Sequence, residues 1–223
     1  MSVEDNSARF KLIADQLKCP TGDAGLETAS HMAENNHNMI LQTIAEMKLR
    51  EYDTILEIGP GGGHHVSALF NEIGNLDYYG VDISQLMIDE ATRVNQSLFR
   101  VGNLSFSLSD GQTIDFSANF FDKIFTVNTL YFWKDPAGYT QEILRVLKFG
   151  GLFYLAFATK DFMEKLPFTQ YGFQLYDIRD AEELLVNNGF KIADVVRRTE
   201  KVKLSAELNA DREFIILVAQ KAS

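Results

Sequence analysis

Only one cysteine, Cys19, stands in the 223 residues, so the chain cannot close an internal disulfide. That fits a reducing compartment, and the cytoplasm is the expected location. Basic charge is also short: 21 Lys and Arg against 31 Asp and Glu leave a net charge of -10. A general nucleic-acid binder needs a basic face to displace counterions from phosphates, so no such partner is expected. The richest basic stretch, Lys191 to Lys203, is diluted by Asp194 and Glu200 and reads as a solvated strand and turn. No apolar run approaches the roughly 20 residues of a membrane helix. Residues 1–18 are polar, without the apolar core of a signal peptide, so no membrane partner is expected. Repeats, low-complexity tracts and a convincing hydrolytic constellation are all missing. No metal site is expected either, because the adjacent His64 and His65 diverge on a helix.

What is present is ordinary globular material, 46% hydrophobic and 23% charged, long enough to bury a core without cross-links. Residues 1–50 read as helical, broken by the Pro20–Gly25 turn and again near Asn35, Asn36, His37 and Asn38. From Asp53 onward strands and helices alternate. Strands are expected at 54–58, 77–81, 104–108, 123–127, 152–158, 190–196 and 212–219. Helices follow Gly63, Ser84 (a cap), Asp135-Pro136 (a cap and first-turn proline, with Gly150 and Gly151 as the stop) and Asp180 with Glu183, a capping-box spacing. Alternation of this kind predicts an α/β fold, a mostly parallel doubly wound sheet with helices on both faces. The last two strands, with no helix between them, suit an antiparallel hairpin at the edge.

Ligands of such sheets sit beyond the carboxyl ends of the strands, near the point where strand order reverses. The first strand runs into Glu57-Ile58-Gly59-Pro60-Gly61-Gly62-Gly63, where glycine lets backbone approach a ligand without a Cβ between them. A dinucleotide fingerprint would need glycine at position 64, and His64 occupies it, which disfavours a nicotinamide oxidoreductase. Asp82 ends the second strand, where a carboxylate can accept from ribose hydroxyls. Asp110-Gly111 follows the third, where one can accept from an adenine amine. Asn128 ends the fourth, beside the pocket mouth. Asp and Asn also end strands as turn formers, and it is the joint register with the glycine turn that points to a ligand.

These residues resemble the class I S-adenosylmethionine-dependent methyltransferases of the small single-domain type. The matching stretches are Ile55 to Gly63, Gly80 to Ser84, Ser109 to Gly111, Phe121 to Asn128 and Leu144 to Leu152. The resemblance implies a Rossmann-like seven-stranded sheet with its last strand antiparallel, S-adenosylmethionine as cofactor, and methyl transfer to a small-molecule acceptor. It implies that Gly59, Pro60, Gly61 and Gly63 pass under the methionine part and that Glu57 orients the ammonium. Asp82 would hold the ribose, Asp110 the adenine amine and Ile83 and Met87 the adenine face, with Gly111 and Asn128 also in the cofactor site. Residues 1–50 would close over the cofactor as a lid, and residues 51–223 would form the binding domain.

The donor is already activated, so no fixed nucleophile is expected. His37 and Tyr131 are the candidates for a catalytic group. The tetrapeptide Asn128-Thr129-Leu130-Tyr131 lacks the two prolines of the Asn-Pro-Pro-Tyr motif that some nitrogen methyltransferases carry, so their clamp is not assumed. An aromatic insertion near 159–179 is longer than an ordinary connection. With the preceding loop it suggests an acceptor pocket of Tyr131, Trp133, Phe168, Tyr171 and Tyr176, or else a cap on the sheet end. The competing function is a sensor or scaffold that holds the cofactor without turnover; monomer and dimer both remain open.

Overall fold

Sequence period decides the layering. Along the central strands, Leu56, Ile124, Phe153, Leu155, Ile215 and Leu217 point to one buried face. Their neighbours Ile55, Phe125, Tyr154, Ala156, Phe214 and Ile216 point to the other. Both faces are therefore apolar, as a sheet sandwiched between helix layers requires. The computed structural model describes residues 3–100, 103–203 and 209–222.

In chain order the elements are α1 (Val3–Lys18), α2 (Gly22–Met47), β1 (Thr54–Ile58), α3 (Val66–Ile73), β2 (Asp77–Asp82), α4 (Gln85–Val94) and β3 (Asn103–Leu108). Then come β4 (Phe121–Val127), α5 (Pro136–Val146), β5 (Leu147–Ala158), α6 (Lys160–Met163), α7 (Ile178–Asn187), β6 (Phe190–Lys203) and β7 (Asn209–Lys221). The seven strands lie in the order β3-β2-β1-β4-β5-β7-β6. All pairs from β3 to β5 are parallel, and β7 runs antiparallel to both β5 and β6. The sheet is thus the expected seven-stranded one. Strand order reverses between β1 and β4, which places the ligand-prone crevice there. Among the described residues no helix is long and apolar enough to cross a membrane.

Three local expectations are corrected. The helix does not break at Asn35–Asn38; α2 runs through to Met47. These asparagines find tertiary partners instead of capping: Asn38 Nδ2 donates to Glu200 Oε2 at 2.6 Å, and Asn36 Oδ1 accepts from Arg212 Nη1 at 2.9 Å. The capping box of α7 lies one turn earlier than Asp180–Glu183. Asp177 Oδ1 accepts from the Asp180 N–H at 2.9 Å, and Asp180 Oδ2 accepts from the Asp177 N–H at 3.3 Å. Gly150 and Gly151 lie inside β5, where the register with β4 shifts, so they shape a bulge and do not mark a helix stop. The connection between β6 and β7 and the outermost bounds of the two expected segments (residues 1, 2 and 223) lie outside the described residues.

The corrected cap is testable. Asp177→Ala should cost about 1 kcal/mol of stability, whereas Glu183→Ala should move the urea midpoint by less than a third as much. Equal effects in urea unfolding would return the cap to the later turn.

Candidate active site

The glycine turn is held from below by one buried carboxylate. Glu57, at 1% exposure on β1, accepts from Tyr78 of β2 and from His65 Nε2 at 2.7 Å. Burial and the adjacent Glu57 charge push the Tyr78 hydroxyl well above its ordinary range, so it remains a donor. Residues 58–64 therefore run between the two partners of one side-chain bond. Three glycines in this turn have positive φ, each for its own reason. A Cβ on Gly59 would meet Thr129 Cγ2 at 2.5 Å, and one on Gly63 would meet Asn95 Nδ2 at 3.0 Å. A Cβ on Gly61 would meet nothing within 4 Å. That space is cavity.

The cavity measures about 680 Å³. Its floor is the turn with Glu57, Asp82, Ile83, Met87, Asp110, Gly111 and Asn128; its roof is the α1–α2 connection and the first half of α2. Asp82 is 9% exposed, with Oδ2 accepting from the Gly61 N–H at 3.2 Å and Oδ1 from the Ser84 N–H at 2.9 Å. Desolvation raises its pKa to about 6, and the Glu57 charge adds to the rise. Ser84 also ties the roof down, donating from Oγ to the Pro20 carbonyl at 2.6 Å. Ile83 is 38% exposed against the cavity, an apolar side chain left without cover.

Asp110 lines the rim with its carboxylate engaged locally. It accepts from the N–H groups of Gln112 at 2.8 Å and Thr113 at 2.7 Å, which hold it below the usual carboxylate range. Asn128, at φ 59, is likewise committed: Nδ2 donates to Asn36 Oδ1 at 3.0 Å, and Oδ1 accepts from the Ala158 N–H at 3.2 Å.

The structure gathers all eleven expected cofactor-facing residues around one cavity, with Trp133 and His37. It does not bring Tyr131, Phe168, Tyr171 or Tyr176 there. Tyr131 is buried, its hydroxyl within reach of Asn128 Oδ1 at 3.1 Å and the Ala158 carbonyl at 3.0 Å, and burial raises its pKa strongly. Phe168 packs on Phe173, which in turn meets Phe132 with centroids 4.6 Å apart. Tyr171 hydrogen-bonds Ser7 of α1 at 2.8 Å, and Tyr176 sits in the core. The insertion thus covers the sheet end and supports α1.

Several lining or bracing residues carried no sequence signal. His65 and Tyr78 could have been found only from the β1–β2 register, which sets Glu57 opposite Gly80. Asn95 donates to the Gly63 carbonyl at 2.9 Å from the end of α4. Phe132, Met32 and Ala33 complete the apolar lining. Tyr139, 2% exposed beside Ser109, has a hydroxyl without a hydrogen-bond partner among the described residues.

Residues 56–155 match the family model described as "Methyltransferase domain". The chain is 30% identical over 122 residues to "Uncharacterized methyltransferase YdaC" of Bacillus subtilis, covering 54% of this chain and 64% of that protein, less than two thirds of its length. Its fold is shared with the YcgJ protein from Bacillus subtilis (TM-score 0.71, 17% identity, 84% of this chain and 99% of that one). It is shared too with Haemonchus contortus phosphoethanolamine N-methyltransferase 2 in complex with S-adenosyl-L-methionine (TM-score 0.71, 19% identity, 96% and 60%).

The roles of Gly59 and Gly61 in the turn separate by stability. Gly61→Ala should cost only the left-handed strain of about 1–2 kcal/mol. Gly59→Ala adds the collision with Thr129, and overpacking brings about 1–3 kcal/mol more. Each extra kcal/mol should lower the thermal midpoint by roughly 2–4 °C. Indistinguishable midpoints would contradict the close approach at Gly59.

Proposed function

We infer that the chain, a member of the class I S-adenosylmethionine-dependent methyltransferases, binds S-adenosylmethionine along this hollow and passes its methyl group to a small-molecule acceptor. The observation that carries this reading is the roofed cavity of about 680 Å³ over the tips of β1, β2 and β4. Its volume lies within the roughly 300–1,000 Å³ of small-molecule sites. The lining fits the group: open space above Gly61, carboxylates at Glu57 and Asp82, an exposed apolar Ile83, and an orphaned Tyr139 hydroxyl near Asp110.

Gly59, Pro60, Gly61 and Gly63 would carry the methionine part along bare backbone, with Glu57 facing its ammonium. Asp82 would accept from the ribose hydroxyls, since it lines the cavity with one oxygen on the Gly61 amide of the turn and the other on the Ser84 amide that caps α4. Ile83 and Met87 would pack on the adenine, with Asp110 and Gly111 at its edge. Asn128 would hold the adjoining wall in place through α2.

Bound, the cofactor supplies an activated sulfonium methyl that moves by in-line displacement. The chain contributes alignment, which can supply about 7–11 kcal/mol of the barrier. It also contributes water exclusion beneath the first half of α2, which with α1 acts as the lid. Met32, Ala33, Phe132 and Trp133 give the acceptor side an apolar and aromatic lining suited to a small, flat or greasy molecule. His37, exposed on α2 at the cavity edge, is the group placed to take a proton where the acceptor must lose one.

Incubation with methyl-labelled S-adenosylmethionine and a panel of small phenols, amines, thiols and carboxylates should label at least one acceptor. Cofactor binding without transfer to any of them would favour a sensor instead. The ribose hydroxyls would be held by the ionised Asp82, whose pKa burial raises to about 6 in the free protein. Affinity for S-adenosylhomocysteine should therefore rise with pH through that value. Between pH 5 and 7.5 calorimetry should show about a tenfold gain, the ratio of ionised fractions. The stability effect has the opposite sign: the native state holds this proton more tightly than the unfolded chain, so ionisation costs stability as pH rises toward 6. Asp82→Asn should weaken binding and remove the pH dependence; a dependence that survives the substitution would refute the ribose assignment.

A further inference from the structure

The roof of the cavity has little core of its own. Between Gly22 and Asn38 only Gly25 is buried, whereas Met39, Thr43, Ile44 and Met47 anchor the second half of α2. Where the anchored half gives way to the roof, Arg212 of β7 reaches across. Its Nη2 donates to the Asn35 carbonyl at 2.6 Å and its Nη1 to Asn36 Oδ1 at 2.9 Å. The same guanidinium is paired with Glu200 of β6 at 2.6 Å, both side chains only 7% exposed. Glu200 Oε2 in turn accepts from Asn38, and Asn36 Oδ1 accepts a second bond from Asn128 at the end of β4. A buried charge pair is costly unless its remaining bonds are satisfied, and here α2 satisfies them.

We propose that Arg212 is a positioning residue, which latches the first half of α2 over the cavity from the distant C-terminal hairpin and so sets the competence of the site. It does not line the cavity; it acts through Asn35 and through Asn36, which does. Without it, the cluster Asn35–Asn38, a poor helix interior, becomes the hinge at which residues 22–38 lift. The role in binding rests on the cofactor reading above, while the latch itself does not.

The test is hydrogen exchange on the full chain without ligand, with S-adenosylhomocysteine binding in parallel. The double variant Arg212→Met, Glu200→Leu replaces the pair by apolar side chains, a change that leaves folding near neutral. It should keep β6 and β7 protected while residues 22–38 exchange at least roughly tenfold faster and 39–47 do not. The roof amides should come close to their unprotected rate, leaving the closed form a minority, and affinity for S-adenosylhomocysteine should then fall roughly tenfold, because the closed fraction sets the apparent Kd. Arg212→Lys keeps a charge beside Glu200 but loses the forked reach, and should give a smaller rise confined to 22–38. Unchanged exchange over 22–38, or protection lost evenly across sheet and hairpin, would overturn the latch. Roof amides exchanging near their unprotected rate with unaltered affinity would overturn the positioning role. Wild-type protein with no affinity would remove the cofactor reading and, with it, that role, and would leave the exchange pattern of the latch standing.

Discussion

A carboxylate buried at 1% exposure is the constraint on which the site depends. Left alone, Glu57 would cost several kcal/mol to bury, so it must be met by donors, and it is met by Tyr78 from β2 and His65 from the head of α3. Those bonds tie β1, β2 and the start of α3 to one oxygen atom. The glycine turn between them has both ends fixed, and its backbone is presented upward, where Gly61 borders empty space. Asp82 then adds a second tie from β2, accepting from the Gly61 amide.

From that fixed floor the rest follows by reach. Parallel strands end at the same level, so β1, β2 and β4 deliver Glu57, Asp82 and Asn128 to one rim. Negative groups gather on the floor, while the roof and far wall are chiefly apolar and aromatic. A methyl donor with a positive sulfonium and ammonium and a polar ribose matches that division of charge. The roof is the loosest part, held by Ser84 on Pro20 and by the Arg212 network.

Sequence alone reveals what is local and periodic. The apolar runs of β4, β5 and β7, the Ser84 and Asp135 caps, and the glycine turn all report on residues within a few positions of one another, and the alternation of strands with helices points to a mostly parallel sheet. What stays hidden depends on partners far along the chain. Asn35–Asn38 reads as a helix break because Arg212, 176 positions from Asn36, cannot be foreseen as its partner. Asp177 and Asp180 hide their cap because Asp180 and Glu183 stand at the same three-residue spacing with the commoner Glu at its end. The insertion aromatics read as a pocket by composition, yet Tyr171 and Phe168 face α1 and Phe173. Phe132, Trp133 and Tyr139, which follow β4, are among the aromatics that reach the cavity.

The proposal that the strand tips converge on a site for an adenosyl group is most directly tested by calorimetric titration of the wild-type protein with S-adenosylhomocysteine and, separately, with a nicotinamide dinucleotide. One molecule of the former should bind per chain, with no heat from the latter. Silence toward S-adenosylhomocysteine, or saturable binding of the dinucleotide in its place, would contradict it.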